Sequence, residues 1–219
     1  MVLLDRNWRC DAGEIDLLDW FAELTIYTSS SCLIGRRFRL AHIVFGPEII
    51  EVATFRAGDD DGSGDREMEN GRLVRDNVYG TLEEDAVRRD FTANALYYAI
   101  EDFSVRDYVG GFDDVQARLL RLIGDPELRY REDPVRVIRV VRFAAKLSRL
   151  GFKLDPKTAR PLVEARDLLV EVPQSRLFDE MLKLLTCGQA VRAVQYLQDQ
   201  GLHTCMLPQI DTVLDDPDG

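Results

Sequence analysis

The sequence predicts an α+β protein, with strands in its first half and helices throughout its second. Three observations carry this. Residues 38–44 and 49–55 are rich in β-branched and aromatic side chains, and the turn formers Phe45-Gly46-Pro47-Glu48 lie between them, which reads as a hairpin. Beyond Gly110-Gly111 the apolar spacing is helical to the end of the chain. Asp133-Pro134 and Asp155-Pro156 each place a cap acceptor before a proline, the chemistry of a helix start.

The elements follow in order. Residues 1–31 carry no periodic core pattern, and 57–71 form a Gly/Asp-rich connection. The stretch 82–99 is helical in part, with Thr81 as N-cap and Glu83, Glu84 and Asp85 in the first turn. Residues 103–108 form a short strand ended by Gly110-Gly111. Helices are expected from Asp133 to Leu150, from Asp155 toward Leu169, over 173–185 and over 190–202. The junction between the two subdomains is expected near residues 110–126.

At 219 residues and 46% hydrophobic content, the chain can bury one or two cores. No apolar run is long enough for a membrane-spanning helix, and Met1–Arg6 acquires charge too soon for a signal peptide. Cys10, Cys32, Cys187 and Cys205 lie far apart without C-x-x-C spacing. That argues against structural zinc and for reduced cytoplasmic thiols. A net charge of −11 argues at first against nucleic acid. Its distribution does not: residues 115–160 hold twelve Lys/Arg against five Asp/Glu, so this segment is +7 and the remainder −18. Such a stripe suits phosphate contacts, and equally a solvated helix face.

Two arginine–carboxylate clusters carry the chemistry. On the helix after Asp133, Arg136 is three residues on and so shares its face, and Arg139 and Arg142 continue at threes. A carboxylate that only accepts, beside a guanidinium that only donates, can rule a base edge. Adenine and cytosine offer an amino donor next to a ring acceptor and match this pair. Guanine and uracil reverse the order, leaving charged groups unpaired at roughly 1–3 kcal/mol each. The other arginines can meet phosphates, although an i,i+3 ion pair on an exposed helix uses the same residues. In Arg88-Arg89-Asp90, the arginines can clamp a triphosphate while Asp90 takes a ribose hydroxyl or orients Arg89; Asn94 shares its face. A capping and surface charge cluster is the alternative. Glu51, within an apolar strand, is either a metal-site carboxylate or the outward residue of an edge strand.

Taken together, 49–56, 82–96, Val105-Arg106-Asp107-Tyr108-Val109-Gly110-Gly111, Arg121-Leu122-Ile123-Gly124-Asp125-Pro126 and 129–146 resemble the class II tRNA nucleotidyltransferase/poly(A) polymerase family over roughly residues 32–210. Within it, Leu33-Ile34-Gly35-Arg36-Arg37-Phe38-Arg39-Leu40-Ala41-His42-Ile43 is similar to the segment that marks bacterial poly(A) polymerases. The resemblance implies a partial nucleotidyltransferase β-sheet head over 32–112 and an all-helical neck and body over 113–219, truncated in this chain. It implies that Arg89 contacts the triphosphate or ribose, and that Asp90 belongs to the active site. Glu51 matches an acidic position beside the catalytic pair. Asp133, Arg136, Arg139 and Arg142 read the base and bind phosphates, and 107–111 form a hinge. The implied activity is template-independent addition of AMP from ATP to RNA 3′ ends with Mg²⁺, in the cytoplasm. CCA addition to tRNA and non-catalytic ATP or RNA binding are the alternatives.

The chain departs from the family at its start. Residues 1–31 contain neither the glycine-rich G-G-x-V-R-D turn nor the D-x-D metal strand. Glu14 and Asp16, an E-x-D 35 residues before Glu51, are the only candidates for that pair, and no Gly-Gly turn precedes them. The segment around Arg9–Leu17 also resembles a short endonuclease-like motif without its E-x-K. A truncated or shifted start is the expectation preferred here. Lacking the D-x-D pair, the chain is expected to use other carboxylates or to be inactive.

Overall fold

The computed structural model describes residues 2–4, 30–34, 40–45, 47–55, 66–69, 72–76 and 80–206. Contacts divide the chain into two units, Met1–Arg88 and Arg89–Gly219.

The first unit is built on a four-stranded sheet. Strands β1 (Val2–Leu4), β2 (Ser30–Ile34), β3 (Leu40–Phe45) and β4 (Glu48–Thr54) lie in the order β1-β4-β3-β2. The expected hairpin is β3 and β4, antiparallel with a register running to Phe45↔Glu48. β1 pairs with β4 in parallel, so β4 is interior and not the edge strand allowed for above. Val52 and Phe55 are buried while Glu51 is exposed. Strands β5 (Arg66–Glu69) and β6 (Arg72–Asp76) make a separate antiparallel pair. Helix α1 (Leu82–Arg88) opens with a capping box: the Thr81 N–H donates to Glu84 Oε2 at 2.6 Å and the Glu84 N–H donates to Thr81 Oγ1 at 3.2 Å. Reciprocal bonds of this kind stabilise a helix by about 1 kcal/mol, which matters for a seven-residue segment.

The second unit begins with an antiparallel pair, β7 (Leu96–Ala99) and β8 (Ser104–Asp107), followed by α2 (Gly111–Gln116). Its core surrounds α4 (Val135–Leu147), whose Val137, Ile138, Val141 and Ala145 are buried with Phe91, Leu184 and Leu197. The preceding helix α3 (Pro126–Glu132) is capped by Asp125, which accepts from the Glu127 and Leu128 N–H groups. Asp133 does not cap α4 as expected. Its carboxylate is taken by Arg176, and the backbone carbonyl alone accepts from the Arg136 N–H. α4 ends in a 3-10 turn, Ser148–Leu150, and stops at Gly151 with φ 78°. The short strands β9 (Leu119–Leu120) and β10 (Lys153–Leu154) pair in parallel.

The helix expected from Asp155 is broken in two. Asp155 caps only α5 (Pro156–Ala159), and a 3-10 segment over Glu164–Glu171 follows. Pro161 lies between them and has no N–H to continue the ladder. α6 (Gln174–Leu185), α7 (Ala190–Asp199) and α8 (His203–Met206) complete the unit. α7 stops three residues short of the expected 202, because Gly201 at φ 64° turns the chain and Leu202 folds back into the core.

Candidate nucleotide site on the arginine helix

Burial sets the direction of each charged residue on α4. The helix needs one face for its valines and alanines, so Arg136, Arg139 and Arg142 occupy a second face together. That face is half-buried, and the arginines therefore meet specific partners.

Arg139 reaches Asp90. Its Nε donates to Asp90 Oδ2 at 2.9 Å and its Nη2 bonds the same oxygen. Asp90 Oδ1 accepts from the Phe91 N–H at 2.9 Å and from Asn94 Nδ2 at 3.1 Å, so Asn94 lies on the Asp90 face as the spacing predicted. The Asp90 side chain is only 10% exposed. Burial pushes its carboxyl upward, but the Arg139 charge and the hydrogen bonds from Arg139, Asn94 and Phe91 outweigh it. The carboxyl is held below the usual carboxylate range.

Arg89 is held beside them. Its Nε donates to the Tyr97 hydroxyl at 2.9 Å, Nη1 donates to the Asn94 carbonyl at 3.0 Å, and the guanidinium lies 5.0 Å from the Tyr97 ring centroid. Arg129 Nη2 bonds the Arg89 carbonyl at 2.7 Å. Arg89 and Asp90 are thus braced by side-chain and backbone bonds.

Asp133 and Arg136 do not pair with each other in the i,i+3 fashion. Arg176 Nη2 donates to both Asp133 oxygens at 3.1 Å, and Arg136 Nη1 donates to Glu132 Oε2 at 3.0 Å and to the Arg129 carbonyl at 2.9 Å. Arg176 and Glu132 are about half exposed, and such pairs contribute roughly 0–1 kcal/mol. A ligand can exchange for the Asp133–Arg176 pair at little cost, whereas Arg136 is 15% exposed and also held by the Arg129 carbonyl. Arg142 differs. It lies 4.6 Å from the Phe143 ring centroid and faces Glu180, a buried residue of α6, with Nε 3.4 Å from Oε2.

Sequence reading missed Glu180, Arg176, Glu132 and Arg129. Glu180 did carry a signal: it occupies the apolar register of Leu177 and Leu184, the buried stripe of α6. The other three are ordinary surface charges in sequence.

The hinge segment is a cap. Asp107 accepts from the Val109 and Gly111 N–H groups through Oδ1 and from the Phe112 N–H through Oδ2. Burial raises its carboxyl and these backbone donors lower it, with the lowering prevailing. Gly111 packs where an added Cβ would stand 2.2 Å from the Thr92 carbonyl oxygen.

Glu51 is exposed on β4 opposite His42, with Oε1 3.3 Å from Nε2. Glu14 and Asp16 lie outside the described residues. Among the described residues no three His, Cys, Asp or Glu side chains converge. One carboxylate beside a histidine does not hold a pair of metal ions, so the described residues do not fit that site and no step is derived through it.

A family model described as "Poly A polymerase head domain" matches residues 20–121, and one described as "Probable RNA and SrmB- binding site of polymerase A" matches 151–214. Poly(A) polymerase I of Salmonella typhi is 53% identical over 182 residues, 81% of this chain and 38% of that protein. The CCA-adding enzyme of Geobacillus stearothermophilus is 36% identical over 171 residues, 78% of this chain and 40% of that protein. The crystal structure of the Bacillus stearothermophilus CCA-adding enzyme in complex with CTP superposes with a TM-score of 0.65 at 32% identity, covering 85% of this chain and 42% of that one. The chain thus spans about two-fifths of the length of the relatives it matches. With both family models in chain order and half its matched residues shared with a poly(A) polymerase, the chain belongs to the class II tRNA nucleotidyltransferase/poly(A) polymerase family.

Proposed function

We propose that the protein is a polynucleotide adenylyltransferase, transferring AMP from ATP to RNA 3′ ends with release of pyrophosphate. The observation that carries this reading is the 53% identity to poly(A) polymerase I, against 36% to the CCA-adding enzyme. In this reading residues 32–112 serve as head and 113–219 as neck and body. Mg²⁺ is the expected ion of the whole enzyme and the cytoplasm its compartment. Among the described residues no helix is long and apolar enough to cross a membrane.

Asp133 and Arg136 read the adenine edge. The exposed Asp133–Arg176 pair is one a base can displace, and among the described residues only Nη1 of Arg136 is engaged, which leaves its other donors for the base. Arg139 and Arg142 stay anchored on buried carboxylates and direct their remaining donors to phosphate oxygens, while Arg89 clamps the triphosphate or ribose. Asp90 orients these groups, and Glu51 is assigned separately as a catalytic carboxylate of the head.

Labelled ATP and CTP, offered separately to an oligo(A) primer and to tRNA lacking its CCA end, test the activity. Long ATP-only tails on oligo(A) are expected; CTP-plus-ATP addition confined to tRNA would move the assignment to CCA addition. ATP bound without incorporation would mark a nucleotide-binding remnant. Independently, Arg136→Ala is expected to abolish the thermal stabilisation conferred by ATP, a rise of roughly 2.7 kcal/mol at a ligand concentration a hundred times Kd. Undiminished stabilisation would remove Arg136 from base reading.

A further inference from the structure

We propose that Arg118, Lys146, Arg149 and Lys153 form a docking surface for the phosphodiester backbone of RNA, upstream of its 3′ end, where α4 turns at Gly151. The proposal rests on the RNA 3′-end reading above and adds a second contact site to it. Lys146 and Arg149 lie between the two matched family models, outside both.

The cations gather around one turn. α4 gives way to the 3-10 turn Ser148–Leu150 and stops at Gly151, with Arg149 two residues before that glycine and Lys153 two residues after it. Lys153 begins β10, and its N–H donates to the Arg118 carbonyl at 2.8 Å. The Arg118 side chain then lies over the turn, since a Cβ built on Gly151 would stand 2.9 Å from Arg118 Nη1. All four residues are exposed, and among the described residues their side chains have no ion pair or hydrogen bond.

The surface is not a mixed one. From Lys146 to Arg160 the sequence holds five Lys/Arg and one acid, Asp155. Asp155 is only 6% exposed and is turned inward, where its Oδ2 accepts from the Thr158 N–H and hydroxyl. In a chain of net charge −11, this stretch therefore shows solvent positive charge alone. Arg118 adds to it against its own backbone preference. It adopts φ 52°, a left-handed conformation in which glycine would be unstrained. What glycine would lack is the guanidinium.

Continuity with α4 favours RNA over other anions. Lys146 is seven residues beyond Arg139, two helical turns, and so extends the same face by roughly 10 Å. One polyanion can span both places, with its 3′ end at the arginines and its backbone passing the turn. The acidity of the rest of the chain disfavours an anionic membrane.

The test is binding of oligo(A) of about twenty nucleotides to the full chain over a series of salt concentrations. Each lost phosphate contact is expected to reduce the slope of log K against log salt by about 0.7 and to weaken binding about fivefold at 0.1 M salt. The triple variant Arg118→Gly, Arg149→Gln, Lys153→Gln is therefore expected to lose about a hundredfold in RNA affinity, while ATP binding changes less than about twofold. Arg118→Gly alone keeps the test open if the triple variant does not fold, because it removes the charge and relieves the backbone together. An unchanged salt slope, or ATP weakened as much as RNA, would overturn the docking surface. So would binding to phosphatidylserine vesicles that the triple variant loses while its RNA affinity stays intact. No RNA binding by the unsubstituted chain would instead overturn the RNA reading beneath it.

Discussion

Gly111→Ala is expected to destabilise the second unit by about 3 kcal/mol or more, at the upper end of overpacking effects. The added methyl would stand 2.2 Å from the Thr92 carbonyl oxygen and 2.9 Å from its carbon. These are backbone atoms, so no rotamer change relieves the clash. Thr92 cannot retreat either. Its N–H donates to the Arg121 carbonyl at 3.1 Å, its hydroxyl donates to Asp114 Oδ2 at 2.7 Å, and its carbonyl accepts from the Ala95 N–H at 3.1 Å. Asp114 is itself buried and bonded by Arg121 Nε at 3.0 Å. Moving Thr92 would thus break a buried network joining the 3-10 turn Thr92–Asn94 to α2 and to Arg121, just past β9. Gly110 is the instructive contrast. It adopts φ 76°, yet an added Cβ there meets nothing within 4 Å, so Gly110→Ala carries only the strain of a left-handed alanine, about 1 kcal/mol. Chemical denaturation of both variants separates the two cases; equal losses would show that close approach at Gly111 is not what the glycine pair serves.

That pair also marks how far sequence alone could reach. Gly110-Gly111 was legible as the end of a strand, but which glycine answers to backbone conformation and which to space depends on Thr92, nineteen residues away in sequence. The hairpin β3–β4 and the Thr81 cap were legible because they are local: turn residues and an S/T-x-x-E spacing suffice. Asp133 was misread as a cap for the opposite reason. Its local chemistry is correct for capping, but its carboxylate is engaged by Arg176, forty-three residues on. The same holds across the site. Sequence placed Asp133, Arg136, Arg139 and Arg142 along one helix and Asp90 in a second cluster with Arg88 and Arg89. Folding divides the helix residues by partner: Asp133 and Arg136 meet the exposed Arg176 and Glu132, and Arg139 and Arg142 meet the buried carboxylates Asp90 and Glu180. Only long-range packing makes that division, through Glu180 and Asp90, and helical spacing gives every residue on the face the same standing.

Arg139→Met tests the buried half of that division. The thioether fills the stem of the arginine but leaves Asp90, 10% exposed, without its cation, and breaking such a pair costs about 3 kcal/mol at neutral pH. The pH dependence identifies the cause. In the native protein the Asp90 carboxyl is held below its ordinary value, so its contribution is fully present above about pH 4 and is lost as pH falls through the depressed folded value. Once Arg139 is gone, burial is the largest remaining influence and pushes the carboxyl up. The variant's carboxyl is held down less than the native one and so loses less on protonation. Acidification therefore penalises the native protein more than the variant, and the stability gap between them narrows on going from pH 7 to pH 3. Asp90→Asn added to Arg139→Met is expected to recover much of the loss at pH 7, since a neutral amide needs no counterion. It should not recover ATP binding, because the guanidinium proposed to face the phosphates is still missing. A stability gap that stays constant with pH would mean that Arg139 supports the fold through its packing on Phe143, 5.8 Å from its guanidinium, and that the Asp90 charge is indifferent to it.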